Sequence, residues 1–136
     1  MSDLTALERA VMQAFLDGNE PLLSTLREQF ERIDVAKREF TGAGFYTTFA
    51  VASGARRLPD TPSRNLDDVV ANIGGLKMGA GFILSVRDGL LHKLEGYSYG
   101  DEAWPAEITT FEVGYLVGNQ MATQRDMEAL RKDLMQ

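Results

Sequence analysis

Apolar residues recur along this chain in two rhythms, and the change of rhythm marks its elements. Near the start, Leu4, Leu7, Val11 and Ala14, with Phe15 beside them, fall at helical spacing. This predicts a helix over 3–17. Thr5 followed three positions later by Glu8 resembles a capping box, which moves the start to Thr5. Asp17-Gly18 stops the helix, because glycine enters the left-handed region without a Cβ clash. Asn19 is then placed to cap a second helix, with Pro21 in its first turn and Leu22, Leu23, Leu26 and Phe30 as its stripe. So short a connection predicts a helical hairpin.

Beyond residue 32 the period falls to two. Residues 33–40 and 45–52 flank Thr41-Gly42-Ala43-Gly44, and Phe45, Thr47, Phe49 and Val51 alternate with Tyr46, Thr48 and Ala50. A β-hairpin is expected there. Residues 53–66, with Pro59, Pro62 and three arginines, read as a loop, and 68–73 as a short strand. Gly74, Gly75, Gly79 and Gly81 punctuate a tight turn region. Residues 81–87 and 90–95 are apolar runs joined by Asp88-Gly89, the signature of a type I′ hairpin. A Tyr-rich loop at 97–105 precedes a strand at 108–117, with Phe111, Val113, Tyr115 and Val117 on one face. Residues 120–134 read as a helix with Met127, Leu130 and Leu134 on its stripe. The sum is one α+β domain over 1–136: an N-terminal helical hairpin, a mostly antiparallel sheet of about six strands and a C-terminal helix, with the helices on one sheet face.

Composition narrows the function classes. The chain has 136 residues and no cysteine, which excludes disulfides, thiolate zinc sites and cysteine nucleophiles. Fourteen basic against twenty acidic residues give a net charge of −6. Such a chain gains nothing from counterion release at phosphates, so nucleic acid is not an expected partner. Apolar runs are a few residues long, far below the roughly 20 of a membrane span. Met1-Ser2-Asp3-Leu4 lacks a secretion-signal pattern, and with the absence of cysteine this predicts a cytoplasmic protein.

The densest recognition chemistry lies between Glu95 and Pro105. Tyr97, Tyr99 and Trp104 accompany Glu95, Asp101 and Glu102, and five acids with no base fall between Glu95 and Glu112. Tyrosine and tryptophan supply large amphipathic contact area, and neighbouring carboxylates favour cationic partners. Tyr97, Tyr99, Asp101, Glu102 and Trp104 are therefore the candidate binding residues, with Trp104 also able to plug the core beneath the loop. Arg56, Arg57 and Arg64 are candidates for an anion or subunit contact. His92 is the one histidine; sharing a face with Leu90 and Leu94, it is expected to point into the core. The glycines of 74–81 lack the Gly-Lys-Ser/Thr ending and following helix of a phosphate loop, so they are read as a turn. Glu95, Asp101, Glu102 and Glu107 lack calcium-loop spacing. No metal or other cofactor is expected.

Three stretches resemble a group of small uncharacterised bacterial cytoplasmic proteins: Arg38-Glu39-Phe40-Thr41-Gly42-Ala43-Gly44-Phe45, Gly79-Ala80-Gly81-Phe82-Ile83-Leu84, and Asp88-Gly89 followed by Leu94-Glu95-Gly96-Tyr97-Ser98-Tyr99-Gly100-Asp101-Glu102 and Trp104-Pro105. The resemblance spans about residues 20–105. It implies a bacterial cytoplasmic protein and carries no activity or catalytic residues with it.

The expectation is a non-enzymatic binding protein, immunity-like by analogy, that presents an acidic-aromatic loop to a protein or small cationic partner. One alternative is a small hydrolase or metal-dependent enzyme using Glu95, Asp101 or Glu102 with His92 assisting. Another is a self-associating structural domain, a homodimer through Met121, Met127, Leu130 and Leu134.

Overall fold

A computed structural model describes residues 4–59 and 63–134; of the expected loop over 53–66, residues 60–62 lie outside the described residues. Helix α1 runs Ala6–Phe15 and α2 Pro21–Phe30. Thr5 caps α1 as the pattern predicts: its hydroxyl accepts from Glu8 N, and Glu8 reaches back to Thr5 N. The second cap differs from expectation. Glu20, not Asn19, holds the N-cap position, without a side-chain bond, and Pro21 opens the helix. The two helices also lie on the sheet more than on each other. Helix α1 packs over β4, β5 and β7, and α2 over β6 (strands defined below).

The strands are β1 Ile33–Phe40, β2 Gly44–Val51, β3 Arg64–Leu66, β4 Val69–Ile73, β5 Ala80–Arg87, β6 Leu90–Ser98, β7 Phe111–Val117 and β8 Gln120–Ala122. They form one sheet in the order β1-β2-β6-β5-β4-β7-β8, with β3 also paired to β5, and every pairing is antiparallel. The α+β class and the antiparallel sheet are as the sequence predicts, but there are eight strands rather than about six. β3 emerges from the arginine-containing loop. β8 emerges from what reads as the start of the last helix. Gly118, at φ 63, turns the chain back after β7, so α3 is confined to Met127–Leu134.

The Asp88-Gly89 turn adopts φ 55 and 77, the paired positive values of a type I′ connection. Two β-bulges change which side chains face the helices. One extra residue at Ala36 shifts the β1–β2 register, so Arg38 and Phe40 stand opposite Thr47 and Phe45 on the helix-covered face. The other lies at His92, between the pairs Ser85–Lys93 and Val86–Leu91. Leu91 and Leu94 are therefore both buried, and His92 is half-buried at the bulge rather than a core residue beside Leu90.

One sheet face carries the core. Phe45, Phe49, Phe82, Leu84, Val86, Leu94, Val69 and Ile73 pack against Leu7, Val11, Met12 and Phe15 of α1 and Leu23 and Leu26 of α2. Each such side chain contributes about 1.5–3 kcal/mol of transfer free energy. The other face bears Tyr46, Lys93, Glu95, Tyr97, Ser85, Asn72 and Glu112, none fully buried. Alternation that is apolar on one side only is the pattern of a one-sided sheet.

Two polar side chains fasten the layers. Gln29 of α2 is fully buried. Its amide donates to the carbonyls of Arg56 (2.8 Å) and Gly89 (2.9 Å) and accepts from Leu91 N at 2.8 Å. Arg125 donates two bonds to Asp68, at 2.7 and 2.9 Å, and others to the carbonyls of Phe15 (2.7 Å) and Asp17 (2.9 Å) at the C-terminal end of α1. Its guanidinium lies 5.2 Å from the ring centre of Tyr115, whose hydroxyl donates to Ala14 O at 2.7 Å.

Gln29→Leu keeps the volume but removes the side-chain partner of the Arg56 carbonyl and the Leu91 N–H, and leaves the Gly89 carbonyl only its bond from Leu58 N. It is expected to lower stability by about 3 kcal/mol, measured by urea denaturation.

Candidate functional site

One end of the sheet gathers the segments 38–45, 79–84 and 94–105, whereas the Asp88-Gly89 turn lies at the opposite end. The β1–β2 turn, the β4–β5 turn and the segment after β6 meet there through backbone bonds: Trp104 N to Gly42 O and Ser98 N to Ala43 O, both 2.8 Å, and Tyr99 N to Gly79 O at 3.0 Å. Glycine makes the close approach feasible. A Cβ on Gly44 would strike the Gly96 carbonyl, and one on Gly75 would press on the Pro105 ring.

The five candidate binding residues reach this end but do not form one surface. Tyr97 lies on the uncovered face. Its ring stands edge-on to Tyr99, 5.6 Å between centres, and both hydroxyls sit above Gly81. Burial, then the hydrogen-bonded neighbour Tyr99, pushes the Tyr97 phenol up to about 12. Asp101 is exposed, at φ 56, in the 3-10 turn Tyr99–Asp101. Glu102 bends to the neighbouring turn: its carboxylate accepts from Lys77 N (2.9 Å) and Met78 N (2.8 Å), and Ser98 Oγ donates to its carbonyl. Those two amides hold the Glu102 carboxyl below the usual range. It latches the loop to the β4–β5 turn. Trp104 lies on the helix side, half-buried, its ring 5.4 Å from that of Phe45 in an edge contact.

Trp104 is one wall of a pocket of about 290 Å³. Phe45, Leu7, Ile108 and Pro105 continue its apolar lining, and Phe40, 71% exposed, forms the lip. The lining also includes Glu8 and Arg38. Glu8 is 2% exposed and accepts four hydrogen bonds: from Thr5 N (2.8 Å), Thr47 Oγ1, and Arg38 Nε (3.0 Å) and Nη2 (2.5 Å). Burial alone raises a carboxyl's pKa. Here the bonds from Arg38, Thr47 and Thr5, with the Arg38 charge, overcome it and hold Glu8 below its ordinary value. Glu107 also lines the pocket, exposed, with no ion pair among the described residues.

The composition of the Glu95–Pro105 run points to this end of the sheet, but Glu8, Arg38 and Phe40 are not singled out by it. The signal for Glu8 is its double use: the capping-box residue is also the acid nearest an apolar helix face. Arg38 and Phe40 depend on the bulge at Ala36, which no residue pattern announces.

The three arginines diverge. Arg56 pairs with Glu28 at 2.6 Å, Arg57 donates to Asp88 O at 3.0 Å, and Arg64 donates to Leu134 O at 2.8 Å. They do not converge on one anion. Burial, then the positive charges of Arg87 and Lys93, pushes His92 below its ordinary value. Among the described residues no three His, Asp or Glu side chains are grouped to hold a metal ion, and no helix is long and apolar enough to cross a membrane. The stripe expected to favour dimers is largely covered: Leu130 and Leu134 are buried and Met127 half-buried, while Met121 belongs to β8. No protein family, curated protein or solved structure matches the chain.

Two expectations follow from this geometry. Glu8 has a lower pKa folded than unfolded, so its contribution is present above the ordinary glutamate value of 4.5 and is lost as pH falls through the folded value. Glu8→Gln should flatten the acid limb of stability against pH and cost about 3 kcal/mol at neutral pH, read by urea denaturation across a pH series. Glu102→Ala should speed amide exchange at Lys77 and Met78 by about tenfold or more while leaving the core amides of β5 protected, read by hydrogen exchange.

Proposed function

We propose that this protein is a non-enzymatic binding protein whose recognition site is the pocket between Trp104, Phe45 and the start of α1. One observation carries the reading: an apolar pocket of about 290 Å³ whose wall is a half-buried tryptophan and at whose side two charged lining groups, Glu8 and Arg38, pair with each other. A site of that size, apolar with a few fixed polar groups, suits a small ligand. Glu8 and Arg38 shape the pocket: a carboxylate with four donors and a guanidinium bonded to it at two nitrogens are poor proton carriers.

The acidic-aromatic stretch keeps its place in this reading with a changed division of labour. Trp104 contacts the occupant, Glu102 fixes the loop, and Tyr97 and Tyr99 cover Gly81 on the far face. The exposure of Phe40 and of Met78, 66% exposed beside the same end, supports a second reading, in which the occupant is an apolar side chain of a partner protein. An immunity-like role takes that form.

Trp104 is the single tryptophan, so the protein's tryptophan emission comes from the pocket wall. Titration with 2-phenylethanol should give a saturable change in that emission, with Kd about millimolar or tighter. Ile108→Phe, which narrows the pocket, should weaken binding while the unfolding transition stays cooperative. A response that is linear in the alcohol, or unchanged in the variant, rejects the pocket as the site.

A further inference from the structure

The charges around this pocket do not balance, and the imbalance selects among ligands. Glu8 and Arg38 cancel at 2.5 Å. The remaining charged lining residue, Glu107, has no counter-ion among the described residues. Of the five acids between Glu95 and Glu112, Glu107 is the one that lines the pocket, and no base lies in that stretch to offset it. The ring of Trp104 adds a second preference of the same sign. Tryptophan has the most strongly negative π-face of the aromatic residues, and a cation within about 6 Å of its centre is attracted to it. Among the described residues the cation–π contacts lie elsewhere, Lys93 with Tyr46 and Arg125 with Tyr115.

Resting on the small-ligand reading above, we infer that the pocket selects small organic cations: an ammonium group on a short aromatic or branched apolar stem. The stem occupies the space between Phe45, Leu7 and Ile108. The ammonium faces Trp104 and the Glu107 carboxylate at the mouth. An anion of the same shape meets Glu107 as a like charge, and Arg38 offers it little, because Nε and Nη2 of that guanidinium are already bonded to a carboxylate.

The test uses the intact protein at pH 7 and the emission of Trp104, with three probes of similar stem: 2-phenylethylammonium, 2-phenylethanol and 3-phenylpropionate. The cation should bind about tenfold more tightly than the alcohol, equivalent to about 1.4 kcal/mol, and the carboxylate most weakly. Glu107→Gln, an exposed and conservative change, should remove most of the cation's advantage and leave the alcohol's affinity unchanged. If the alcohol binds as well as the cation, or if the advantage survives Glu107→Gln, the inference is wrong and the pocket reading stands. If none of the three gives a saturable response, both are wrong.

Discussion

A single buried carboxylate organises the end of the molecule where the pocket lies. Glu8 joins three elements: the first turn of α1 through Thr5, β2 through Thr47, and the edge strand β1 through Arg38. A carboxylate removed from water needs donors for its lone pairs, and this one has four. Meeting that need fixes the height of α1 above the sheet and the rotation of β1. The pocket is the space left beside this arrangement, bounded across from α1 by Trp104. Its dimensions therefore follow from electrostatics as much as from apolar packing.

Much of the architecture was legible from periodicity. The capping box at Thr5 and Glu8, the hairpin of 33–40 with the following strand, and the Asp88-Gly89 turn are local signals with local causes, and each forms. The misreadings share one cause: the state of these residues is set by the strand they pair with rather than by their own pattern. Residues 64–66 have no strong strand pattern and become β3 because the edge of β5 is available to them. Residues 120–122 look like the approach to a helix and become β8 because Gly118 turns them onto β7. His92 leaves the predicted alternation because a bulge resets it.

The site was half legible. Concentrating aromatic and acidic residues in one stretch singles out the end of the sheet where the pocket lies. It does not tell which face each ring takes. Tyr97 and Trp104 are seven positions apart, and the 3-10 turn between them lets the chain pass from one sheet face to the other. Nor does composition separate a carboxylate that meets solvent, as at Asp101, from one that holds a neighbouring turn, as at Glu102. Arg38 is the sharpest case. On strict alternation from Ile33 it points away from the helices, and one inserted residue at Ala36 turns it toward Glu8.

The Arg125 clamp also imposes an order in time. Its targets on α1 are separated from it by more than a hundred residues, as are Ala14 and Tyr115, which α1 meets through a hydroxyl bond. The first helix leaves the ribosome before the strands it rests on, and its far end can be fastened only once Tyr115 and Arg125 have been made. An amphipathic segment made early thus waits, apolar face uncovered, for its lid and its lock to arrive from more than a hundred residues downstream.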